Sequence, residues 1–270
     1  MPNLLFSFIA FVSYSVLAVY FWHAHVRGEG ETLSRGAAGH LMLIPIALHG
    51  YLLARNIFSG GGFDLGVFNA VSLIVWLTLV VYWGARFFYP LSGLQALVLP
   101  VAAVTMLLPG VFPAEHQLIH TDMLAFRVHI AVAMLAYSLF TIAALHAVLI
   151  SLMEKRLRQA TLPRALRNLP PLLTMENLLF RMIGIGFVLL TLTLVSGILF
   201  SEEIFGKVWQ FNHKVLFGFV SWCVFAMLLW GHRFYGWRGK IAVRWTVSGF
   251  IFLLMAYLGS KFVLEVMLHR

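Results

Sequence analysis

The chain reads as an all-α protein, a polytopic bundle of about eight transmembrane helices with both termini on the outer side of the membrane. Three observations carry this expectation. Of its 270 residues, 61% are hydrophobic and 11% charged, and the mean hydropathy is +0.90; soluble domains hold about a quarter of charged residues. The apolar residues gather in runs near the roughly 20 needed to cross a bilayer as helix. The basic residues gather in alternate connections between those runs.

The first run, residues 3–22, has no basic residue ahead of it and leads into Tyr20, Phe21, Trp22 and His23 where a cleavage site would need small residues. It is therefore expected to remain as a first helix. Runs at 38–55 and 65–84 follow, separated by the flexible turn Ser59-Gly60-Gly61-Gly62. The second run holds Pro45 and the fourth, 91–108, holds Pro100; each proline removes an N–H donor and is expected to kink its span. The fifth run, 128–152, begins just after Arg127 and ends before Glu154, Lys155 and Arg156. A basic connection with Pro163, Pro170 and Pro171 comes next, suited to lie against anionic headgroups. Runs at 180–200, 213–231 and 244–264 complete the set, and no charged linker or repeat divides the chain, so residues 1–270 are read as one membrane domain.

The net charge of +9 would suggest a nucleic-acid partner in a soluble protein. Here it is a topology signal, and no nucleic-acid partner is expected. Arg27, Arg35, Arg86, the group from Lys155 to Arg181, and Arg233, Arg238, Lys240 and Arg244 make thirteen of the nineteen basic residues, all in one set of connections. The positive-inside rule puts that set in the cytoplasm, and so puts both termini, residues 109–127 and residues 201–214 outside. Cys223 stands alone inside a span, and no C-x-x-C-H motif offers covalent haem attachment.

The segment Trp209-Gln210-Phe211-Asn212-His213-Lys214, with Trp222 following, places rings and an imidazole at the outer surface. Flat faces beside a nitrogen donor suit a planar apolar ligand with a metal at its centre, and haem is the natural candidate. Ten of the eleven histidines fall into two tiers, and His49 sits within the second run, towards its outer half. His129, His213 and His269, with His116 and His120 in the loop, lie at the outer face; His146, His232, His40, His23 and His25 lie at the inner face. His129 and His146 share a helix but are 17 residues apart, roughly 25 Å, so they cannot ligate one iron. His129 with His269 outside, and His146 with His232 inside, are the pairs at matching heights. For His23 and His25 a solvated interface is sufficient explanation; for His49 and His146 an interhelical hydrogen bond and a ligand role both stand open.

Residues Arg127-Val-His-Ile-Ala-Val-Ala-Met-Leu-Ala-Tyr137, the Trp209–Lys214 segment, Trp222, Gly236-Trp-Arg-Gly239, Gly249-Phe250 and Ala256-Tyr-Leu-Gly259 resemble, in order and spacing, the cytochrome c assembly family. The resemblance is clearest over 120–270 and is closest to a small eight-span branch. It implies a protein of the bacterial inner membrane that handles haem at the outer face, between two external histidines and a tryptophan-rich loop. Residue by residue, it makes His129 the first external histidine, His269 the second, and Trp209 to Lys214 the end of the loop. Trp222 matches the tryptophan of the next helix, and His232 competes with Trp230 for an inner position. The family loop ends in Trp-Asp-Pro-Lys after several tryptophans; this chain has one tryptophan, Asn212 for the aspartate and His213 for the proline.

The implied cofactor is haem b, held without covalent attachment by His129 and His269 against Trp209, Phe211, His213 and Trp222, with His232 and His146 as a weaker inner set. The implied partners are membrane lipid and, within cytochrome c maturation, other assembly components or an apocytochrome. A haem-free accessory or scaffold subunit is the alternative reading, and a b-type haem redox or sensing subunit the third. The sequence holds no nucleophile and base at motif spacing, no zinc-ligand cluster and no phosphate-cradling loop, so no enzymatic activity is expected.

Overall fold

The computed structural model describes residues 2–27, 36–58, 63–89, 91, 93–112, 117–118, 123–159, 169–205 and 213–262. Helices dominate it: α1 Pro2–Arg27, α2 Ala37–His40, α3 Leu43–Ile57, α4 Val67–Ala85, α5 Gln95–Thr105, α6 Leu108–Val111, α7 Leu124–Arg158, α8 Leu172–Phe205, α9 His213–Tyr235 and α10 Lys240–Leu254. A π turn, Met255–Gly259, and a last short helix, α11 Ser260–Phe262, extend α10. The described strands are two-residue pieces, β1 Phe63–Asp64 antiparallel to β2 Gln117–Leu118.

Each of the eight expected apolar runs carries helix, but six are of spanning length: α1, α4, α7, α8, α9 and α10 with its extension. The run at 38–55 gives the 15-residue α3, and the run at 91–108 gives α5 and α6, a shorter apolar stretch of Gln95–Val111. Two of the long helices overrun their expected ends. α7 has 35 residues, roughly 52 Å at 1.5 Å per residue, against about 30 Å of hydrocarbon. Charge at Glu154–Arg158 does not end it, because Arg158 and Glu154 pair one turn apart at 2.8 Å. α8 starts at Leu172 because Met175, Leu178 and Leu179 are buried in the bundle. Pro45 is the third residue of α3, where a missing N–H leaves no bond unmade, so the expected mid-span kink there is instead a helix start.

α7 is the spine. It packs along α8 and also meets α4 and α10, while α9 lies against α8 and α10. α1 packs on α5 and α3, and α4 joins that group to the rest through α3, α5 and α7. Outward faces are apolar: Ile185, Val188, Leu192, Val195 and Leu199 form an exposed stripe at helical spacing on α8, as a lipid-facing surface requires.

Lipid tails are as apolar as leucine, so helices in a membrane associate by close packing and internal hydrogen bonds. Both devices recur. In the first group, the buried His49 joins Tyr14 of α1 through Nδ1 at 3.3 Å and Ser72 of α4 through Nε2 at 2.9 Å. Trp76 Nε1 donates to the Ile46 carbonyl at 2.8 Å, and the ring fits because residue 50 is glycine, whose Cβ would sit 2.9 Å from it. In the second group, Phe140 of α7 and Phe225 of α9 stack with centroids 4.0 Å apart. A glycine backs each ring: a Cβ on Gly186 would lie 3.0 Å from Phe140, and one on Gly249 2.8 Å from Phe225. Ser221 Oγ donates to the Gly249 carbonyl at 2.9 Å beside this stack.

Turn geometry closes the α9–α10 connection. Gly236 and Gly239 have φ of 65° and 57°, a region costly for side-chain-bearing residues, and the Gly239 N–H donates to Glu176 Oε1 at 2.9 Å. The stack yields a matched pair of substitutions. Gly249→Ala forces the Phe225 ring to shift, whereas nothing lies within 4 Å of a Cβ on Gly184. We expect Gly249→Ala to be less stable than Gly184→Ala by roughly 1–3 kcal/mol in detergent unfolding titrations; equal stabilities would show that the stack does not set the packing.

Candidate functional site

A cavity of about 530 Å³ opens at the end of the bundle where α7 and α9 begin and α8 and α10 finish. Small-molecule sites occupy about 300–1,000 Å³. Its deeper wall is apolar, with Ala133 and Met134 of α7, Leu190 and Leu194 of α8, and Leu253 of α10. Rings enter from Phe126, Tyr137, Phe219 and Tyr257, and the charged wall residues are Lys214 and Lys261.

His129 reaches this cavity from the second turn of α7. Its Nδ1 lies 2.7 Å from Ser196 Oγ, and Ser196 Oγ donates to the Leu192 carbonyl at 2.6 Å. This contact fixes the orientation of the imidazole against α8. Phe126, one turn earlier, lies nearly parallel to the imidazole, with centroids 6.5 Å apart and planes at 17°. Residue 197 has to be small here, since a Cβ on Gly197 would stand 3.4 Å from His129 Cε1.

Hydrogen bonds between helices fix the opposite wall. Tyr137 OH donates to the Leu253 carbonyl at 2.8 Å, just before the π turn. Such turns interrupt the regular ladder of a helix, and a side-chain donor beside one satisfies its backbone from outside. Tyr257, within the π turn, meets Tyr137 edge-on at 6.2 Å and donates to the Leu65 carbonyl at 3.2 Å. Lys261 Nζ donates to the same carbonyl, so both lone pairs of Leu65 are engaged and the start of α4 is latched to the end of α10.

Of the residues singled out in the sequence, His129 lines the cavity. His213 is exposed at the first position of α9, and its neighbours Lys214, Val215 and Leu216 form wall. Trp222 lies one turn beyond Phe219: its Nε1 donates to Thr191 Oγ1 at 2.9 Å, and its ring stacks with Phe187 at 5.3 Å and Phe219 at 5.9 Å. It braces α9 against α8 next to the cavity. Trp209, Phe211 and His269 lie outside the described residues, as do His116 and His120.

The inner-tier histidines have separate partners. His146 Nε2 donates to the Met175 carbonyl at 3.1 Å. His232 Nδ1 donates to the Trp237 carbonyl at 3.0 Å, and its ring lies face to face with Phe180 at 3.4 Å and 11°. His49, whose role the sequence left open, has hydrogen-bond partners for both ring nitrogens. Among the described residues no three His, Cys, Asp or Glu side chains converge as a metal cluster. Phe126 and Lys261 of the wall, and Ser196 as the partner of His129, are the residues that sequence reasoning passed over. Lys261 carried a legible signal, since it lies within the apolar run 244–264 and an intramembrane cation is a functional candidate by default.

Taken together, these features define a multi-pass helical membrane protein with an apolar, ring-lined cavity entered by one oriented imidazole. The sequence pattern of the cytochrome C assembly protein family matches residues 37–268, and the chain belongs to that family. The Escherichia coli K12 inner membrane protein YpjD is 29% identical over 267 residues, covering 96% of this chain and 97% of its own length. The cytochrome c biogenesis protein CcsA of Gloeobacter violaceus is 31% identical over 106 residues, 39% of this chain and 31% of its own. CcsA of Heterosigma akashiwo NIES-293 is 35% identical over 92 residues, 34% of this chain and 29% of its own. No solved structure matches the chain. The expected location, a multi-pass protein of the inner membrane, agrees with these relatives and with the six spanning-length helices.

Tyr137→Phe keeps the ring and removes the donor to Leu253. Interhelical hydrogen bonds in membranes average about 0.6 kcal/mol, and we expect a loss of roughly 0.5–1.5 kcal/mol in unfolding titrations. No change would mean that another donor satisfies the Leu253 carbonyl.

Proposed function

We propose that this chain is a haem-binding protein of cytochrome c assembly, holding haem b by coordination and packing in the cavity at the His129 end. The observation that carries the reading is the state of His129. Its Nδ1 is held by Ser196 Oγ, which sets the ring orientation at the cavity wall; metal-bound imidazoles are oriented by a hydrogen bond of this kind on the nitrogen that does not meet the metal. The wall supports it. Apolar side chains and ring faces suit a flat macrocycle, whose iron takes axial nitrogen ligands.

In this reading His129 would be one axial ligand and His269 the other, with Trp209 and Phe211 from the α8–α9 connection and His213 from the start of α9 covering the ligand and Trp222 stiffening the wall. The cavity faces the outer side, the chain crosses the membrane eight times with both termini outside, and the two shorter helical runs complete the count. All of residues 1–270 form one unit around this site. The inner-tier residues His146 and His232 are structural, since each is held by a backbone carbonyl. The names of the CcsA relatives, cytochrome c biogenesis proteins, favour an apocytochrome or another assembly component as the partner that receives or supplies the haem.

A second reading has one observation behind it. The segment matching the family's tryptophan-rich loop holds a single tryptophan, Trp209, which suits a haem-free accessory subunit that keeps the fold.

Absorption spectra of protein purified from haem-replete cells separate the two. A Soret band is expected in the wild type. His129→Ala and His269→Ala should each lower it at least severalfold, and His146→Ala should leave it in place. Wild-type protein without a Soret band, or one that both outer variants leave intact, would refute the haem assignment.

A further inference from the structure

The end of the bundle away from the His129 cavity holds a second cleft, of about 440 Å³, where the last turns of α7, the first turns of α8 and the start of α10 meet. Its wall carries both signs of charge. Glu154 and Arg158 come from α7, Glu176 comes from α8, and Arg238 and Lys240 flank Gly239 at the start of α10. Part of this charge is answered within α7, since Arg158 donates through Nε and Nη2 to Glu154 Oε1 at 3.1 and 2.8 Å.

The rest is not balanced inside the wall. Glu176 Oε1 accepts the Gly239 N–H at 2.9 Å, and that partner is neutral. A Cβ on Gly239 would lie 3.8 Å from Glu154 Oε2 and 3.8 Å from Glu176 Oε1, so two carboxylates converge on one glycine while one guanidinium pairs with them. A cation placed beside both relieves the repulsion between them. Arg238 and Lys240 are exposed at the rim, and among the described residues neither has an ion-pair partner. Lys240 is also the first residue of the 15-residue α10, whose leading N–H groups favour an anion. The cleft thus asks for a positive group against the carboxylates and a negative group close by.

A purely anionic ligand would face Glu176, and a purely cationic one would face Arg238 and Lys240. A zwitterion with its ammonium two carbons from a phosphate answers both. The surroundings choose the rest of the ligand. α7 is longer than the hydrocarbon is thick, so Glu154 and Arg158 at its end lie at headgroup level. Ile150 and Leu172 line the cleft, and Ile241, 45% exposed, carries its wall out to the lipid-facing surface. We infer that this cleft binds a phospholipid with a primary-amine headgroup, phosphatidylethanolamine. Its ammonium sits against Glu176 and Glu154, its phosphate against Arg238 and Lys240, and the start of an acyl chain runs along Ile241. The site is separate from the His129 cavity and does not depend on the haem reading.

The test is native mass spectrometry of detergent-purified protein titrated with dioleoyl phosphatidylethanolamine, phosphatidylcholine or phosphatidylglycerol. Wild-type protein should bind the ethanolamine lipid roughly tenfold more tightly than the choline lipid, whose methylated ammonium has no N–H to donate, and than the glycerol lipid, which has no ammonium. Glu176→Gln keeps an acceptor for the Gly239 N–H and removes the charge, and it should erase most of the preference for ethanolamine over glycerol. Arg238→Gln combined with Lys240→Gln should weaken both of these lipids at least severalfold. Glycerophosphoethanolamine, the same headgroup without acyl chains, should compete at least tenfold more weakly than the lipid. Equal affinity of the wild type for the three lipids, tighter binding of phosphatidylglycerol, or a preference that survives both sets of substitutions would overturn the inference. Equal competition by the chain-free headgroup would overturn the lipid as occupant. If Glu176→Gln does not fold, the order of the three lipids in the wild type and in the Arg238 and Lys240 variant decides the matter.

Discussion

The Phe140–Phe225 stack, backed by Gly186 and Gly249, is the contact on which the C-terminal half of the bundle depends. It draws on four helices at one level, and both rings are fully buried. It also locates the cavity. On α7 the deepest wall residue is Tyr137, one turn before Phe140; on α8 it is Leu190, one turn from Gly186; on α10 it is Leu253, one turn from Gly249. On α9 the wall stops at Phe219, with Trp222 and then Phe225 beyond it. The helices touch where glycine meets ring, and they leave space one turn further on. Rigid packing below and open volume above are two results of one arrangement, since interiors packed to this density do not deform gradually.

Inside a membrane no water is present to satisfy a polar side chain, so each buried one must be answered by the protein. That constraint sorts the histidines better than sequence position does. His49 spends both ring nitrogens on Tyr14 and Ser72, and so ties three helices together. His232 is pressed against Phe180 and bonded to the loop carbonyl that follows α9. His129 alone among the described histidines is oriented by a neighbouring helix and also lines a cavity of ligand size. The residue type is the same throughout; its partners decide what it does.

Much of the fold was legible because hydropathy has a single cause here. All eight apolar runs carry helix, six of them of spanning length, and the boundary at His213 matched the start of α9. The misplaced ends have local explanations. A Glu154–Arg158 pair carries α7 past its charges, and residues 172–179, read as connection, are helix because their apolar face packs into the bundle. The candidate site was partly legible. His129 stood out through its place after the outer loop, the family pattern marked Trp222, and the apolar run around Lys261 marked that cation, but none of these could reveal the tie of His129 to Ser196, 67 positions away, or of Lys261 to Leu65, 196 positions away. Pairings at such separation leave no trace in local periodicity.

The loop that resembles the family's tryptophan-rich segment is short of tryptophan, yet the cavity is not short of rings. Phe126, Tyr137, Phe219 and Tyr257 all lie in its wall, and each is carried by a helix or the π turn, so its position is set by packing. Ring area on helices can grip a flat ligand without help from a connection. What helix-borne rings cannot do is move the ligand outward, because their backbone belongs to the bundle and cannot follow a partner. Holding and delivery are therefore separable demands in this fold. In the haem reading proposed above, the wall serves the first, and any part in the second falls to the segment between α8 and α9, where Trp209 is the one tryptophan left to serve it.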